Sequence, residues 1–482
     1  MPDLRPVLFV VGLMVAALGV IMFIPMAVDL AYGDESWAAF AISGFITSLF
    51  GCVLALTSYA PKANLRARGA FLLTTISWVA LSCFAALPLF IASIGLDVTD
   101  ALFEAVSGIT TTGATVMTGL DHAPKGILLW RAILQWIGGI GIIVTAMAIL
   151  PMLKIGGMQL FRLESSDVGE KILPKAASLA AAISLIYLAL TIACATGYAL
   201  AGMGAFDAIA HAMTTIATGG YSTSDASLGG FMDDGADLVA IAFMLAGALP
   251  FGMYLLASQR NFRLAASDPQ VRGFFLVIIS LIAIITFYLW GQSEITGSRA
   301  LRLAAFNVIS VITGTGYATA DYNAWGPFAV AAFFAFMFVG GCAGSTACSV
   351  KIFRYQVAFE ALRAYLFKMP RHHAVAPMRY GGKPLSNAVV YSVMGFFFLF
   401  FSCFAVGAIL LSMLGLDPLT AWSAAASSIA NVGPGLGDII GPAGTYQSLP
   451  DTAKWVLMLG MLIGRLEIIT ALVLLTPSFW RA

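Results

Sequence analysis

The sequence predicts an all-α membrane protein with ten transmembrane helices, and two observations lead to that class. Of 482 residues, 60% are hydrophobic and only 10% are charged, which excludes a soluble globular protein. Apolar runs long enough to cross about 30 Å of hydrocarbon as helices recur along the chain. They cover residues 7–31, 38–59, 71–94, 127–150, 176–203, 238–257, 273–290, 326–350, 387–414 and 453–476.

The first run is expected to be a retained span rather than a cleaved signal peptide. Its apolar stretch is longer than the roughly 7–15 residues of a signal-peptide core, and it contains Pro25. With the second run it forms a leading pair of spans in residues 1–60, outside the repeat pattern described below.

Positive charges predict how the spans are oriented. If the N-terminus is cytoplasmic, most of the 25 Lys and Arg residues fall in the termini and inner loops. Both termini are therefore expected inside. His372 and His373 lie in the basic cytoplasmic loop 353–386, where they favour a docking surface over a metal site. Most acidic residues, such as Asp100 and Asp237, then face outward, where an anionic vestibule would concentrate cations.

Four glycine-containing strings divide the other eight spans into repeats. Self-similarity of this kind indicates a repeated structural unit. The strings are TTTGAT at 110–115, TGGYS at 218–222, GTGYA at 314–318 and NVGPG at 431–435. Aligned on one glycine each, they set four residues in register, called here the aligned glycines: Gly113, Gly220, Gly316 and Gly433.

The residues around each aligned glycine repeat as well. Before each lies a segment too short to cross a bilayer but readable as a half-length helix, and a full span lies on either side. Six positions before the aligned glycines stand hydroxyl residues: Ser107, Thr214, Ser310 and Ser427. The unit is span, half-helix, glycine loop, span, and the four units occupy residues 70–150, 176–258, 271–352 and 387–482. Because a re-entrant loop leaves by the face it entered, every unit starts and ends in the cytoplasm, in agreement with the charges.

Four such loops around a pseudo-fourfold axis would line an ion pore. Non-helical backbone is tolerated at membrane depth only when it is buried in protein or lines a watery cavity. Carbonyl oxygens that point into the pore can replace the hydration shell of a cation. Glycine permits the backbone angles that such carbonyls require, and the C-terminal ends of the half-helices add partial negative charge. The strings lack the carboxylates that a divalent ion prefers, which favours a monovalent cation. Close helix packing explains any one such string equally well, but not four in register.

At these residues the chain resembles the Trk/Ktr/HKT superfamily of potassium transporters, and within it the bacterial TrkH type. SGITTTGATV at 107–116 and NVGPGLG at 431–437 are similar to the first and fourth filter strings of that family. The likeness covers essentially the whole chain, and the two leading spans favour the TrkH type over the shorter KtrB type.

The resemblance implies a potassium selectivity filter built by the four loops. In plant relatives a serine at the first aligned position accompanies sodium transport, so Gly113 implies potassium as the permeating ion. The implied filter residues are Thr111, Thr112, Gly113, Thr218, Gly219, Gly220, Gly314, Thr315, Gly316, Asn431, Val432 and Gly433.

A gating segment is implied by the string FVGGCAGSTACSVK at 338–351, which resembles the intramembrane loop beneath the family's filter. Its small residues weaken a helix, and a broken helix at mid-membrane can move. Cys348 and Ser349 stand where the family pattern has glycines, which leaves open how far the loop swings. The implied gate residues in this loop are Gly340, Gly341, Gly344, Ser345 and Thr346.

Arg465 lies within the last predicted span, where an arginine is costly and usually functional. The resemblance places it in the pore below the filter, as a barrier to cations. The alternative is a pairing with Glu467 that satisfies both charges. Residues two apart on a helix do not face each other, so Glu467 is expected to have another partner.

Three polar residues occupy one position on the first three half-helices. Glu104, His211 and Asn307 each precede an aligned glycine by nine residues. We expect them to hold the half-helices through buried polar contacts rather than to bind the ion.

The sequence therefore predicts the potassium-selective, ion-conducting subunit of a bacterial Trk-type uptake system, located in the inner membrane. The resemblance implies a homodimer with one pore per subunit and a TrkA-like cytosolic nucleotide-binding regulatory partner. Membrane lipid surrounds the chain, and no nucleic acid is expected. The chain has no nucleotide-binding motif of its own, so we expect no cofactor in it and K+ as the permeating ion.

Two other functions stay open as alternatives. A proton- or sodium-coupled K+ symporter would need a deep carboxylate, and Glu467 is almost the only candidate. A membrane-embedded enzyme or redox protein would need clustered His, Cys or carboxylates. The four histidines are scattered, and the six cysteines lie in or near apolar spans without metal-ligand spacing, so we expect packing residues and no enzyme.

Overall fold

The chain folds into a bundle of apolar helices whose short central members are surrounded by long ones. The computed structural model describes residues 4–59, 67–145, 172–232, 235–258, 268–292, 295–371 and 376–481. Within these ranges, seven helices are long and apolar enough to cross a membrane, or up to nine if each of two bent pairs is one span. The long helices are Arg5–Ile21 continuing as Phe23–Tyr32, Trp37–Thr57, Ala67–Ile91, Lys125–Val144, Ile172–Leu200, Pro269–Trp290 and Asn387–Met413.

Three of the ten expected spans are not continuous helices. Ala236–Ala248 and Phe251–Ser258 meet at 92°, because Pro250 lacks a donor N–H and disfavours helix before it. Asp451–Arg465 and the helix starting at Ile469 meet at 104°. The span expected at 326–350 is a short helix, Pro327–Phe336, followed by non-helical chain up to Lys351.

Some expectations fall outside the described residues. These are the end of the span at 127–150, together with His372 and His373. The described chain also contains the helices Ile352–Lys368 and Pro477–Arg481, two small sheets, and the 3-10 helices Leu120–His122, Ser227–Phe231, Tyr322–Trp325 and Val473–Leu475. Val339–Gly340 pairs in parallel with Val350–Lys351, and Arg379–Tyr380 pairs antiparallel with Lys383–Pro384.

The four half-helices lie at the centre of the bundle and are called here short helices 1 to 4. They are Val98–Ile109, Ala205–Ile216, Gly297–Thr313 and Pro418–Ala430. Short helix 3 has 17 residues, more than the expected dozen, because it begins earlier, at Gly297. Asp97 and Asp417 cap the first and fourth by accepting backbone hydrogen bonds from Asp100 and Thr420.

The leading helix pair is joined to the first repeat by two carboxylates. Asp29 is fully buried and accepts hydrogen bonds from the Gly126 N–H and, at 2.6 Å, from Ser36 Oγ. Asp34 accepts from the Lys125 N–H at 2.9 Å. Both therefore bind orphan donors in the first turn of the helix Lys125–Val144, which passes directly behind the candidate site.

Candidate ion-conducting site

All four short helices end in the same backbone motif. The residue two positions before each aligned glycine is left-handed: Thr111, Thr218, Gly314 and Asn431 have φ of 53°, 49°, 72° and 52°. The next residue donates its N–H, at 2.9 or 3.0 Å, to the main-chain carbonyl of the residue six before the aligned glycine. These four bonds run from Thr112 to Ser107, from Gly219 to Thr214, from Thr315 to Ser310 and from Val432 to Ser427. This is a Schellman cap. The repeated hydroxyl residues thus mark one position in the last helical turn.

The four capped segments lie against one another in a closed ring. A β-carbon built on each aligned glycine would crowd the carbonyl oxygen of the residue that precedes the next repeat's aligned glycine. Gly113 faces Gly219, Gly220 faces Thr315, Gly316 faces Val432, and Gly433 faces Thr112 at 2.7 Å. The fourth contact returns to the first repeat, so the structure brings the four segments, with all twelve predicted filter residues, together in one closed ring.

The ring offers main-chain oxygens in a nearly dry setting. The aligned glycines also have positive φ, from 78° to 108°, which only glycine adopts at low cost. The residue before each is buried, whereas Gly113, Gly220 and Gly316 remain partly exposed. The C-terminal ends of four helices adjoin the ring and add partial negative charge. This chemistry suits a dehydrated monovalent cation.

Polar side chains fasten each short helix to the chain that leaves the ring. Glu104 accepts hydrogen bonds from Thr115 Oγ1 and the Val116 N–H, and His211 Nε2 lies 2.9 Å from Ser222 Oγ. Asn307 donates to Thr319 Oγ1 at 3.0 Å, and Ser423 accepts from the Leu436 N–H at 2.9 Å. The three polar positions noted in the sequence therefore make the expected buried contacts, and the fourth repeat uses a neighbouring serine.

One buried arginine behind the ring, Arg131, was not identified in the sequence analysis. Arg131 is almost fully buried and donates to Glu104 at 2.7 Å, Thr115 Oγ1 at 3.2 Å and the Ser222 carbonyl at 3.0 Å. It also stacks on Tyr221 at 4.1 Å. The available signal was a charged residue within an apolar span, the argument that drew attention to Arg465.

The predicted gate segment is a buried non-helical loop. Residues 341–349 are closed at their base by the two-residue ladder, and residues 340–348 are buried. Thr346 Oγ1 donates to the Ile216 carbonyl at 3.0 Å, and the Ser349 N–H donates to the Ala430 carbonyl at 2.9 Å. The loop thus binds orphan carbonyls at the ends of short helices 2 and 4. All five predicted gate residues of the loop, Gly340, Gly341, Gly344, Ser345 and Thr346, lie in or beside it.

Arg465 lies against this loop on the side next to the ring. Its Nη1 is 2.7 Å from Cys348 Sγ, and Cys348 Sγ is 3.7 Å from Thr111 Oγ1. The guanidinium also makes long contacts of 3.4 Å with the Thr346 and Gly138 carbonyls. One thiol therefore touches both the first filter segment and the buried arginine.

Glu467 pairs with Arg354 rather than with Arg465. Arg354 is fully buried, donates to the Glu467 carboxylate, and lies 3.6 Å from the Phe396 ring centre. Glu467 occurs at the bend of the last span with φ of 60°. A cavity below the ring is lined by Lys351, Arg354, Arg465 and Glu467, so three cations face one carboxylate there.

Acidic residues near the N-terminal ends of the short helices are partly neutralised. Asp100, on short helix 1, lies 2.5 Å from Lys454 Nζ. Asp237, in the first turn of the helix Ala236–Ala248, lies 2.6 Å from Nε of Arg302 on short helix 3. The expected vestibule therefore has less free negative charge than the sequence indicated. Asp417 is more open, and its hydrogen bonds with Thr420 hold the pKa of the Asp417 carboxyl below its usual range.

Comparison with known proteins places these features in context. A family model described as "TrkH: Cation transport protein" matches residues 36–481. The Trk system potassium uptake protein TrkI of Halomonas elongata is 45% identical over 99% of this chain and 97% of its own length. The Trk system potassium uptake protein TrkH of Escherichia coli K12 is 38% identical over 99% of both chains.

A solved structure has the same overall architecture. The crystal structure of the potassium transporter TrkH from Vibrio parahaemolyticus superimposes with a TM-score of 0.92. It is 38% identical in sequence, and the match covers 99% of each chain.

Proposed function

This chain belongs to the TrkH family of cation transport proteins, and from that premise we propose that it conducts K+ through the ring of four glycine segments, down the electrochemical gradient. The closed ring of main-chain oxygens is the observation that carries the proposal. Its relatives are named potassium uptake proteins, and the resemblance stated from the filter strings is confirmed. It is a membrane transport subunit and not an enzyme.

Selectivity in this proposal arises from main-chain oxygens held at fixed positions. A K+ ion entering the ring exchanges hydration water for carbonyl oxygens of the twelve filter residues. The Schellman caps fix the entry to each segment, and the glycine-to-carbonyl contacts fix each segment against the next. A smaller ion that is costlier to dehydrate obtains less compensation from oxygens that cannot approach it.

In this proposal, the 341–349 loop and Arg465 together form the gate. Both lie against the first filter segment through Cys348, and on the proposed path below the ring a buried positive charge would raise the energy of a passing cation. Opening requires the loop to release the Ile216 and Ala430 carbonyls and Arg465 to leave Cys348. The Arg354–Glu467 pair links the loop's following helix to the bend beside Arg465, so the two parts would move together.

The organisation we propose follows the repeats. Ten spans form four units around one pore, with the two leading spans outside them and both termini in the cytoplasm of a bacterial inner membrane. Because the ring is complete within one chain, a homodimer would hold two independent pores. A TrkA-like cytosolic nucleotide-binding subunit would dock on the cytoplasmic loops, and the word "system" in the relatives' names supports such a partner.

Uptake of rubidium and sodium into liposomes that hold the purified chain tests this function. We expect rubidium to enter and to be competed by K+, with sodium largely excluded. Empty liposomes and liposomes holding the Gly220→Ala variant, whose new methyl group would overlap the Thr315 carbonyl, serve as controls. Sodium uptake equal to that of rubidium in the wild-type protein contradicts the proposal.

The coupled symporter is the alternative, and the Glu467 contact weighs against it. Coupling requires a carboxylate that binds and releases a proton or Na+ during each cycle, and Glu467 is occupied by Arg354. A reversal potential that follows the K+ gradient alone supports conduction. A reversal potential that shifts with pH or sodium supports coupling.

A further inference from the structure

We propose that Gln135 is a positioning residue that sets the ion selectivity of the ring by holding the carbonyl of Gly219. This inference rests on the proposed function, because it concerns the same ring of oxygens. Gln135 does not belong to any of the four glycine strings, and it lies on the helix Lys125–Val144, in the first repeat.

The Gln135 side chain bridges two main-chain groups on either side of an aligned glycine. Its Nε2 donates to the Gly219 carbonyl at 2.6 Å, and its Oε1 accepts from the Tyr221 N–H at 3.0 Å. Gly220 lies between the two. The Gln135 amide uses one of its N–H donors and its acceptor oxygen here, so the side chain pairs with the second filter segment as a neighbouring peptide group would.

The Gln135 amide is closely packed against the main chain at Gly219. Gln135 is fully buried, and a β-carbon built on Gly219 would lie 2.5 Å from Gln135 Oε1 and 2.8 Å from Nε2. The helix that carries Gln135 is itself fixed close to the ring, because Gly138 on the next turn packs against the Ile109 carbonyl. Glycine at 219 and glutamine at 135 are therefore matched in shape.

A second side chain on the same helix, Arg131, also holds the second segment. We call Gln135 and Arg131 together the clamp. Arg131, one turn before Gln135, donates to the Ser222 carbonyl at 3.0 Å. Three main-chain groups of the second segment, Gly219 O, Tyr221 N and Ser222 O, are thus held by side chains of the first repeat. The clamp joins adjacent repeats and stands behind the ring.

This clamp makes the ring chemically asymmetric. The four ring carbonyls are those of Thr112, Gly219, Thr315 and Val432. Of these four carbonyls, only that of Gly219 accepts a hydrogen bond from a side chain of the described residues. That bond restrains rotation of its peptide plane, so this oxygen cannot turn inward to follow an ion smaller than K+. Without the bond, the oxygen gains that freedom and sodium is better accommodated.

The test compares two substitutions of Gln135 in reconstituted protein. Gln135→Met keeps the volume and removes both hydrogen bonds. Gln135→Glu keeps an acceptor for Tyr221 but, when ionised, has no donor for the Gly219 carbonyl. Since a lost hydrogen bond of this kind is worth about tenfold in an equilibrium, we expect the rubidium-to-sodium uptake ratio to fall about tenfold in Gln135→Met at every pH. The same fall is expected in Gln135→Glu at a pH high enough to ionise its buried carboxyl.

Acidification separates the donor from a merely structural role. A protonated glutamate donates through its O–H, so the ratio in Gln135→Glu is expected to recover towards the wild-type value as the pH is lowered, whereas that of Gln135→Met stays low. The Glu variant is its own control, because one folded sample gives both states. Gln292→Met is the matched control, since Gln292 donates to the Trp325 carbonyl at 3.0 Å in a loop and should leave the ratio unchanged.

The outcomes distinguish this inference from the proposed function. If wild-type protein shows no selective rubidium uptake, the proposed function fails. If wild type is selective and both Gln135 variants are equally selective, Gln135 does not position the ring. If Gln135→Glu loses selectivity and acidification does not restore it, the donor role is overturned.

Discussion

At the scale of single residues, Gly113 combines two constraints that no other residue type satisfies. Its φ is 85°, and a β-carbon there would overlap the Gly219 carbonyl. A non-glycine residue at such a backbone angle costs about 1–3 kcal/mol before any contact is counted. The first string of the sequence therefore contains a glycine for reasons of both conformation and space.

Gly113→Ser is expected to admit sodium. The new side chain displaces the Gly219 carbonyl, and the displaced oxygen no longer excludes the smaller ion. The rubidium-to-sodium uptake ratio should fall by about tenfold or more, since about 1.4 kcal/mol corresponds to a factor of ten.

The matched control for that experiment is Gly119→Ser. Gly119 has φ of 72° but nothing within 4 Å of a built β-carbon, so it carries the backbone cost without the contact. The control should keep wild-type selectivity. Unchanged selectivity in Gly113→Ser as well would contradict the filter assignment.

Arg465→Ala is expected to raise ion flux. Two unit charges about 4 Å apart interact by roughly 4 kcal/mol at an effective dielectric constant of 20, so removing this cation lowers the barrier below the ring. We expect rubidium uptake to increase at least about tenfold. Arg465→Lys retains the charge and should stay close to wild type. Equal flux in all three folded proteins would give Arg465 a structural role.

Residue patterns predicted the glycine segments of the ring, but they did not predict the buried side chains that hold those segments and the gate loop in place. The aligned glycines were visible in the sequence because a backbone requirement recurs in four places. Gln135, Arg131 and Arg354 were not recognised, because their partners are distant in sequence and no local pattern specifies such pairs. The partner of Glu467 was predicted to exist by helix geometry, but its identity came only from the fold.

At the scale of elements, the last span shows how a buried ion pair stabilises a break. The helix ends at Arg465, the chain passes through Glu467 and Ile468 with φ of 60° and 46°, and a new helix begins at Ile469. Such angles are costly for these residue types, and Arg354 binds Glu467 at that point. The sequence contained no proline or glycine between Arg465 and Ile469, so the bend was not predicted.

Glu467→Gln is expected to lower the free energy of unfolding by about 3 kcal/mol. Removing one partner of a buried ion pair leaves the other without its counter-charge, which is far costlier than losing an exposed pair. Denaturant unfolding of the purified protein in detergent measures the change.

Glu360→Gln is the control for this prediction. It breaks a solvent-exposed pair, with Arg363 at 3.5 Å, and should change the free energy by at most about 1 kcal/mol. Restoration of stability in the double variant Arg354→Met with Glu467→Gln would show that the two residues act as a pair. Equal effects of Glu467→Gln and Glu360→Gln would disprove the importance of the buried contact.

At the scale of the whole molecule, the orientation inferred from charge can be tested by chemical labelling. Val98 is 61% exposed at the start of short helix 1, and Lys368 is exposed at the end of the helix Ile352–Lys368. In intact cells, a membrane-impermeant maleimide should label Val98→Cys and not Lys368→Cys. Both should react after permeabilisation. Labelling of Lys368→Cys in intact cells would invert the proposed topology.

The four short helices and their glycine segments could be predicted from the sequence, whereas the continuity of the long helices could not. The length of an apolar run indicates how many residues lie in hydrocarbon. It does not distinguish one continuous helix from two helices joined by a bend. The segment at 326–350 has the composition of a span, yet its second half is a loop because short-helix ends supply its hydrogen-bond partners. Such partners exist only once the repeats have assembled.

The contact between Gly433 and Thr112 joins the last repeat to the first, and this fixes the order of events during synthesis. At roughly 5–20 residues per second, the ribosome needs on the order of tens of seconds to proceed from the first glycine segment to the fourth. Until then, the first and third segments lack the neighbour that completes their surroundings. The ring is thus the last feature to mature, and a polypeptide terminated before the fourth segment would leave the Thr112 carbonyl without its contact.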